Sequence, residues 1–252
     1  MSAGLLVSGL TYAVGDRLIL RGVDLEALPG EIVAVMGISG GGKTSLLKCL
    51  SGLARPTGGS IRVGDAELTR MSESALNEQR RRMGMVFQYA ALFDSLTVYE
   101  NVIFGLKYHG RHPEQKLRDL ARERLAAVGL EGTEDLYPAQ LSGGMRKRVG
   151  LARALATDPE VVFYDEPTSG LDPVVARIID DLIASVRDRL GVTSVIVSHD
   201  VENVMRISDK VALLHEGRIV ECGAPAKIRV SSNPVVRQFI EGRSEGPIQI
   251  LS

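Results

Sequence analysis

The chain has 252 residues, 44% of them hydrophobic and 24% charged, with a formal net charge of -1. That composition excludes a largely disordered chain, and the length suits one large α/β domain with room for a helical insert. The near-neutral balance gives no electrostatic footprint for nucleic acid, and the isolated cysteines, Cys49 and Cys222, form neither a disulfide framework nor a zinc motif.

No apolar run approaches the roughly 18–20 residues needed to cross a bilayer. The stretch Met1–Leu10 lacks the basic lead of a signal peptide. A cytoplasmic protein is expected, acting at a membrane only through a partner. In chain order, Leu5–Leu10, Leu18–Leu20 and Ile32–Met36 are predicted strands, punctuated by Gly15-Asp16, Gly22 and Pro29-Gly30. Gly58-Gly59 before Ser60–Val63 predicts a further hairpin. From about Leu92 to Ala156 the spacing turns helical, with Leu117, Leu120, Leu125 and Val128 set among Arg, Glu and Asp.

Strands then return at Val161–Tyr164, Ser194–Val197 and Val211–Leu214. Ile178, Ile179, Leu182, Ile183 and Val186 mark an amphipathic helix between them. Buried, uninterrupted strands alternating with helices predict a parallel sheet covered on both faces, with the helical stretch inserted into it. Residues 229–252 are predicted as a short helix and an extended tail.

Strand Ile32–Met36 leads into Gly37-Ile38-Ser39-Gly40-Gly41-Gly42-Lys43-Thr44-Ser45 and an apolar helix. This fits G-x-x-x-x-G-K-[ST] in its required strand–loop–helix setting. The glycines let backbone N–H groups curl inward around phosphates, and the helix N-terminus adds a positive dipole. Lys43 is expected to reach the β- and γ-phosphates and the Thr44 hydroxyl to ligate Mg²⁺. Downstream, strand Val161–Tyr164 ends in Asp165-Glu166, two carboxylates at the sheet edge where nucleotides bind in open α/β sheets. Asp165 suits the Mg²⁺ shell and Glu166 suits a general base for the attacking water. Ser142 with Gly143 and Gly144 at a helix start makes a second anion site. The adjoining Arg146–Arg148 run is expected to be a solvated helical face.

Leu141-Ser142-Gly143-Gly144 resembles the signature loop of the ABC ATPase family, with Met145 where that family usually has Gln. The resemblance runs in order over about residues 5–225 and implies a P-loop NTPase (RecA-like) core, an antiparallel β subdomain and an inserted α-helical subdomain at about 92–156. It implies an ATPase domain over 1–228, with 229–252 as an appended C-terminal segment. It further implies ATP and Mg²⁺ as cofactors and a head-to-tail homodimer, in which Ser142, Gly143 and Gly144 close over the partner's ATP. Gln88 then matches the loop linking the Mg²⁺ and water site to a transmembrane partner. His199 matches the switch histidine at the γ-phosphate, and Ser169–Asp172 matches the loop that speaks across the dimer. Tyr12 matches the aromatic that stacks on adenine. His109, His112 and His215 are read as structural or solvated.

The segment Gln88–Val102, Met145 and the tail around Asn233–Ile240 are similar to Mla-type phospholipid-transport ATPases. That likeness implies a transmembrane permease dimer, an MCE-domain protein outside the membrane and a candidate STAS-domain regulatory subunit. It implies residence on the cytoplasmic face of the inner (plasma) membrane, as a peripheral subunit. The alternatives are the ATPase of a polar-solute importer and a soluble scaffold such as one in iron–sulfur assembly. Members that serve DNA repair carry long coiled coils, and translation-type members carry two ATPase halves; neither feature is present here.

Overall fold

The computed structural model describes residues 2–110 and 112–249, the side chain of His109 excepted. Residues 250–252 of the expected tail lie outside the described residues. The chain opens with strands β1 (Leu5–Val14), β2 (Arg17–Ala27) and β3 (Ile32–Met36), then helix α1 (Lys43–Leu50). Strands β4 (Gly58–Val63) and β5 (Ala66–Glu67), helix α2 (Glu73–Arg80) and strand β6 (Met83–Val86) follow. The helical stretch supplies α3 (Val98–His109), α4 (Glu114–Ala127) and α5 (Gly143–Leu155). Then come β7 (Val161–Asp165), α6 (Pro173–Leu190), β8 (Thr193–Ser198), α7 (Val201–Ile207), β9 (Lys210–His215) and β10 (Arg218–Gly223), and finally α8 (Pro225–Arg229) and α9 (Pro234–Glu241).

These strands build two sheets. The smaller is antiparallel in the order β2-β1-β4-β5. The larger has the order β10-β9-β3-β8-β7-β6, parallel throughout except for the edge strand β10. The α/β architecture with an antiparallel β layer and an inserted helical layer is therefore the one expected. The non-consecutive strand order needs long crossovers, and the helices between the strands supply them.

The period of two along each central strand divides the interior into two cores. Val33, Val35, Phe163, Val195 and Val197 face one side, where α1 and the small sheet pack. Ile32, Ala34, Met36, Val162, Tyr164 and Ile196 face the other, where the helical layer packs. This two-sided burial is why those strands read as unbroken apolar runs. Phe163 and Tyr164 are fully buried, one on each face, and each contributes on the order of 2–3 kcal/mol of burial.

Local signals place the helix ends. Thr97 and Glu100 form a reciprocal capping box that starts α3. Asp172 caps α6 by accepting from the N–H groups of Val174 and Val175, both at 3.0 Å, and left-handed Gly191 ends that helix. Past α9 the chain folds back rather than trailing away. The Gln238 side chain, inside a buried site, accepts from Ile248 N at 2.6 Å and donates to Ile248 O at 3.1 Å. The amide thereby imitates one rung of a strand ladder and pins the described end of the tail.

Candidate active site

Parallel pairing brings the carboxyl ends of four strands to one edge. Met36 at the end of β3 pairs with Ser198 at the end of β8, and Val197 pairs with Asp165 at the end of β7. Strand β6 lies beside β7. The segments that leave these ends carry Lys43, His199, Glu166 and Gln88 respectively. One edge thus gathers residues that lie far apart in sequence, as open α/β sheets do at their ligand crevice.

The loop between β3 and α1 curls tightly. A side chain at Gly37 would place its Cβ 2.4 Å from the Leu214 carbonyl oxygen, so only glycine fits. Gly42 begins α1 in the left-handed region with no side-chain cap, which leaves the leading N–H groups of the helix to point into the loop. The Lys43 ammonium lies inside this cradle. It donates to the carbonyls of Gly37 at 2.8 Å and Ile38 at 3.0 Å, and stands 3.9 Å from Glu166 Oε1. Burial pushes its pKa below the ordinary lysine value, while Glu166 and then Asp165 pull it back up.

The Thr44 hydroxyl donates to Asp165 Oδ1 at 3.2 Å. A hydroxyl and a carboxylate oxygen are thus already paired beside the cradle. Hard oxygen donors of this kind, few in number, suit Mg²⁺ held jointly with substrate phosphates. Burial raises the Asp165 carboxyl above its usual range, the hydrogen bond from Thr44 opposing the shift. Glu166, next in sequence, sits in the left-handed region at φ 46. Its own N–H donates to Val197 O at 2.9 Å, so the neighbouring strand fixes the turn. Its side chain reaches His199, with Oε2 2.8 Å from Nδ1.

Lys43, Glu166 and His199 therefore form one chain of contacts and Thr44 and Asp165 a second pair, the two joined through the adjacent residues Lys43-Thr44 and Asp165-Glu166. Gln88 stands beside them through Ser169, whose hydroxyl accepts from Gln88 Nε2 at 3.3 Å. The other predicted residues lie apart from that set. Ser142 caps α5, accepting from Met145 N at 3.2 Å. Gly144 packs so tightly on Val175 that an added Cβ would lie 2.6 Å from its Cγ1. Asp172 is occupied in capping α6. Tyr12 pairs with Leu20 of β2, and Leu20 approaches the cradle at Gly42. Ser39 and Gly40 are exposed on the rim of the loop, and Ser45 is half-buried on α1.

Two residues escaped the sequence reading. The basic run Arg146–Arg148 is a solvated face only at Arg146. Lys147 is 7% exposed and its ammonium donates to the backbone carbonyls of Gln88 and Glu166. The signal for this was its spacing: Gly144, Lys147, Leu151 and Ala154 recur three to four residues apart and all face inward. Arg153, further along α5, donates to Ala90 O at 2.5 Å and Ala91 O at 2.6 Å. Those alanines lie at φ 60 and 48, an unusual pair for residues with a Cβ.

The ABC transporter family model matches residues 20–169, spanning the cradle, the Ser142 helix start and the Asp165-Glu166 pair. The chain belongs to the ABC transporter family. This ABC subunit is 40% identical over 243 residues to the intermembrane phospholipid transport system ATP-binding protein MlaF of Haemophilus influenzae, covering 96% of this chain and 92% of that one. It is 40% identical over 248 residues to the Mycobacterium tuberculosis (strain H37Rv) protein named "Probable ribonucleotide transport ATP-binding protein mkl", covering 98% of this chain and 69% of the relative. Its fold matches a dimeric post-hydrolysis state of the ATP-binding cassette MJ0796 bound to ADP and Pi. That match has a TM-score of 0.79 and 31% identity, and covers 88% of this chain and 98% of the cassette.

Proposed function

We propose that this chain is the ATP-hydrolysing subunit of a membrane ABC transporter that moves phospholipids. The observation that carries the chemistry is the contact chain Lys43–Glu166–His199 with the Thr44–Asp165 pair beside it. Gly37 to Ser45 wrap the phosphates of ATP, and Tyr12 offers a face to the adenine. Mg²⁺, when bound, neutralises phosphate charge; Thr44, Asp165 and Gln88 are the residues that would hold it. Glu166 takes the proton from the attacking water, Lys43 and His199 counter the charge that develops on the transferred group, and Gln88 senses the outcome.

Two copies pair head to tail. Ser142, Gly143, Gly144 and Asp172 of each then complete the partner's site. The dimeric state of the MJ0796 cassette supports this pairing. We take residues 1–228 as the ATPase domain, with the segment of about 92–156 as its lever and 229–252 as an appended C-terminal piece.

Among the described residues no helix is long and apolar enough to cross a membrane. In this reading a permease dimer forms the path. The printed name of the MlaF relative supports phospholipid as the cargo. The likeness of Gln88–Val102 and of the segment around Asn233–Ile240 to Mla-type ATPases adds to this reading an MCE-domain protein as a further partner, a STAS-domain regulator as a candidate subunit, and the cytoplasmic face of the inner membrane as the location. The name of the mycobacterial relative, which prints ribonucleotide transport, supports the polar cargo of a second reading, the ATPase of a polar-solute importer.

Affinity purification of the Glu166→Gln form from native membranes, followed by mass spectrometry, separates these readings. A permease with an MCE-domain protein supports phospholipid transport. A permease with a soluble solute-binding protein moves the cargo to a polar solute. No membrane protein at all overturns the transporter assignment and favours a soluble scaffold.

A further inference from the structure

Helix α5 faces two ways. Its N-terminus, capped by Ser142, is the end offered to the partner subunit's nucleotide in the reading above. Five residues on, the same helix turns Lys147 inward to its own site. The ammonium is buried and donates to the carbonyl of Gln88 and, at 3.3 Å, to the carbonyl of Glu166. A charged group withdrawn from water costs free energy that only well-placed partners offset. Here the partners are backbone atoms of the two loops that carry the water-positioning groups.

On its N–H side Glu166 is held by Val197 O at 2.9 Å. Its carbonyl also accepts from Ser169 N at 3.2 Å, and Ser169 in turn holds the Gln88 side chain. Lys147, Gln88, Ser169 and Glu166 therefore close a ring of hydrogen bonds, with α5 as the one long rigid element in it. Burial lowers the Lys147 pKa, while the charges of Glu166 and Asp165 favour the ammonium. The cation is thus tied electrostatically, as well as by hydrogen bonds, to the two site carboxylates.

We propose that Lys147 is a positioning residue through which the N-terminus of α5, when it closes on the partner's nucleotide, sets Glu166 and Gln88 of its own site. Any shift of α5 is passed to both loops at once because one ammonium holds both carbonyls. The inference rests on the assignment of Glu166 and Gln88 made above.

The test is steady-state ATP hydrolysis by the full chain assembled with its permease. Lys147→Met keeps the length of the side chain and removes the donors. It should lower kcat by about 10–100-fold, the usual consequence of a misplaced reacting group, with ATP binding unchanged within about twofold. Lys147→Arg, which keeps donors and charge, should recover most of that loss. In a double-mutant cycle with Ser142→Ala, the losses should be strongly non-additive, because both changes cut the same relay.

Full turnover by Lys147→Met would overturn the proposal. So would a loss matched by a lower thermal midpoint with no recovery in Lys147→Arg, or losses that simply multiply with Ser142→Ala. The Glu166→Gln variant separates the two levels. If that variant hydrolyses ATP normally, the reading of Glu166 fails. If it is inactive while Lys147→Met is active, only the role of Lys147 fails.

Discussion

Replacing Glu166 by Gln preserves side-chain volume in a site that is 8% exposed and removes one negative charge. Two effects follow, and they run in opposite directions. The water loses its general base, which costs about 10²–10⁴-fold in kcat, equivalent to about 3–5 kcal/mol of barrier. At the same time Lys43 loses the carboxylate 3.9 Å away, and a freed ammonium is more available to phosphate oxygens. Turnover should therefore collapse while ATP affinity holds or improves, and ATP should hold the two subunits together. Phosphate release measures the first quantity, equilibrium binding of a fluorescent nucleotide the second, and light scattering with and without ATP the third. A kcat within about threefold of the parent would refute the assignment of Glu166. A parallel loss of affinity would show instead that the substitution disturbs the cradle.

Three further outcomes are expected. Asn101 is wholly buried and its amide holds Phe93 N and the carbonyls of Phe93, Leu96 and Thr97 at 2.9–3.1 Å. Asn101→Ala should weaken that loop by on the order of 2–4 kcal/mol, seen as faster amide hydrogen exchange over residues 93–97. Asp172→Ala should cost about 1 kcal/mol through loss of the α6 cap. Asp172→Asn keeps the cap and the thermal midpoint, so any ATP-driven dimerisation it loses reports contact across the dimer. Asp180 is raised to about 7 by burial, with Arg206 opposing. Its folded pKa thus exceeds its unfolded value, so the folded state holds an extra proton and stability should decline as pH rises from about 4 to 7. Asp180→Asn should flatten that decline, as chemical denaturation across the range would show.

The cradle was legible because phosphate geometry dictates both its residues and their spacing, and Asp165-Glu166 because an apolar strand delivers them to the sheet edge where a cradle of that kind also lies. Strand β6 was hidden: Met83-Gly84-Met85-Val86 is short and carries a glycine. Edge strand β10 was hidden too, since exposed Arg218 and half-buried Glu221, whose carboxylate accepts from Ser231, break its apolar pattern. The split into two cores left no trace in sequence, because strands buried on both faces show no alternation. Lys147 and Arg153 were obscured by a more general fact. A charge on a helix is solvated by default, and only tertiary packing decides which lysine turns inward.

The left-handed pair Ala90-Ala91 has a mechanical consequence. Each methyl group makes that backbone shape cost about 1–2 kcal/mol, and Arg153 fastens both carbonyls in it. The joint between Gln88 and α3 is therefore a strained shape fastened by Arg153, a loaded spring rather than a slack tether. Glycine at both positions would relax the spring. ATP consumption would continue in such a variant while the cargo delivered per ATP fell, an efficiency loss readable in reconstituted vesicles by counting both.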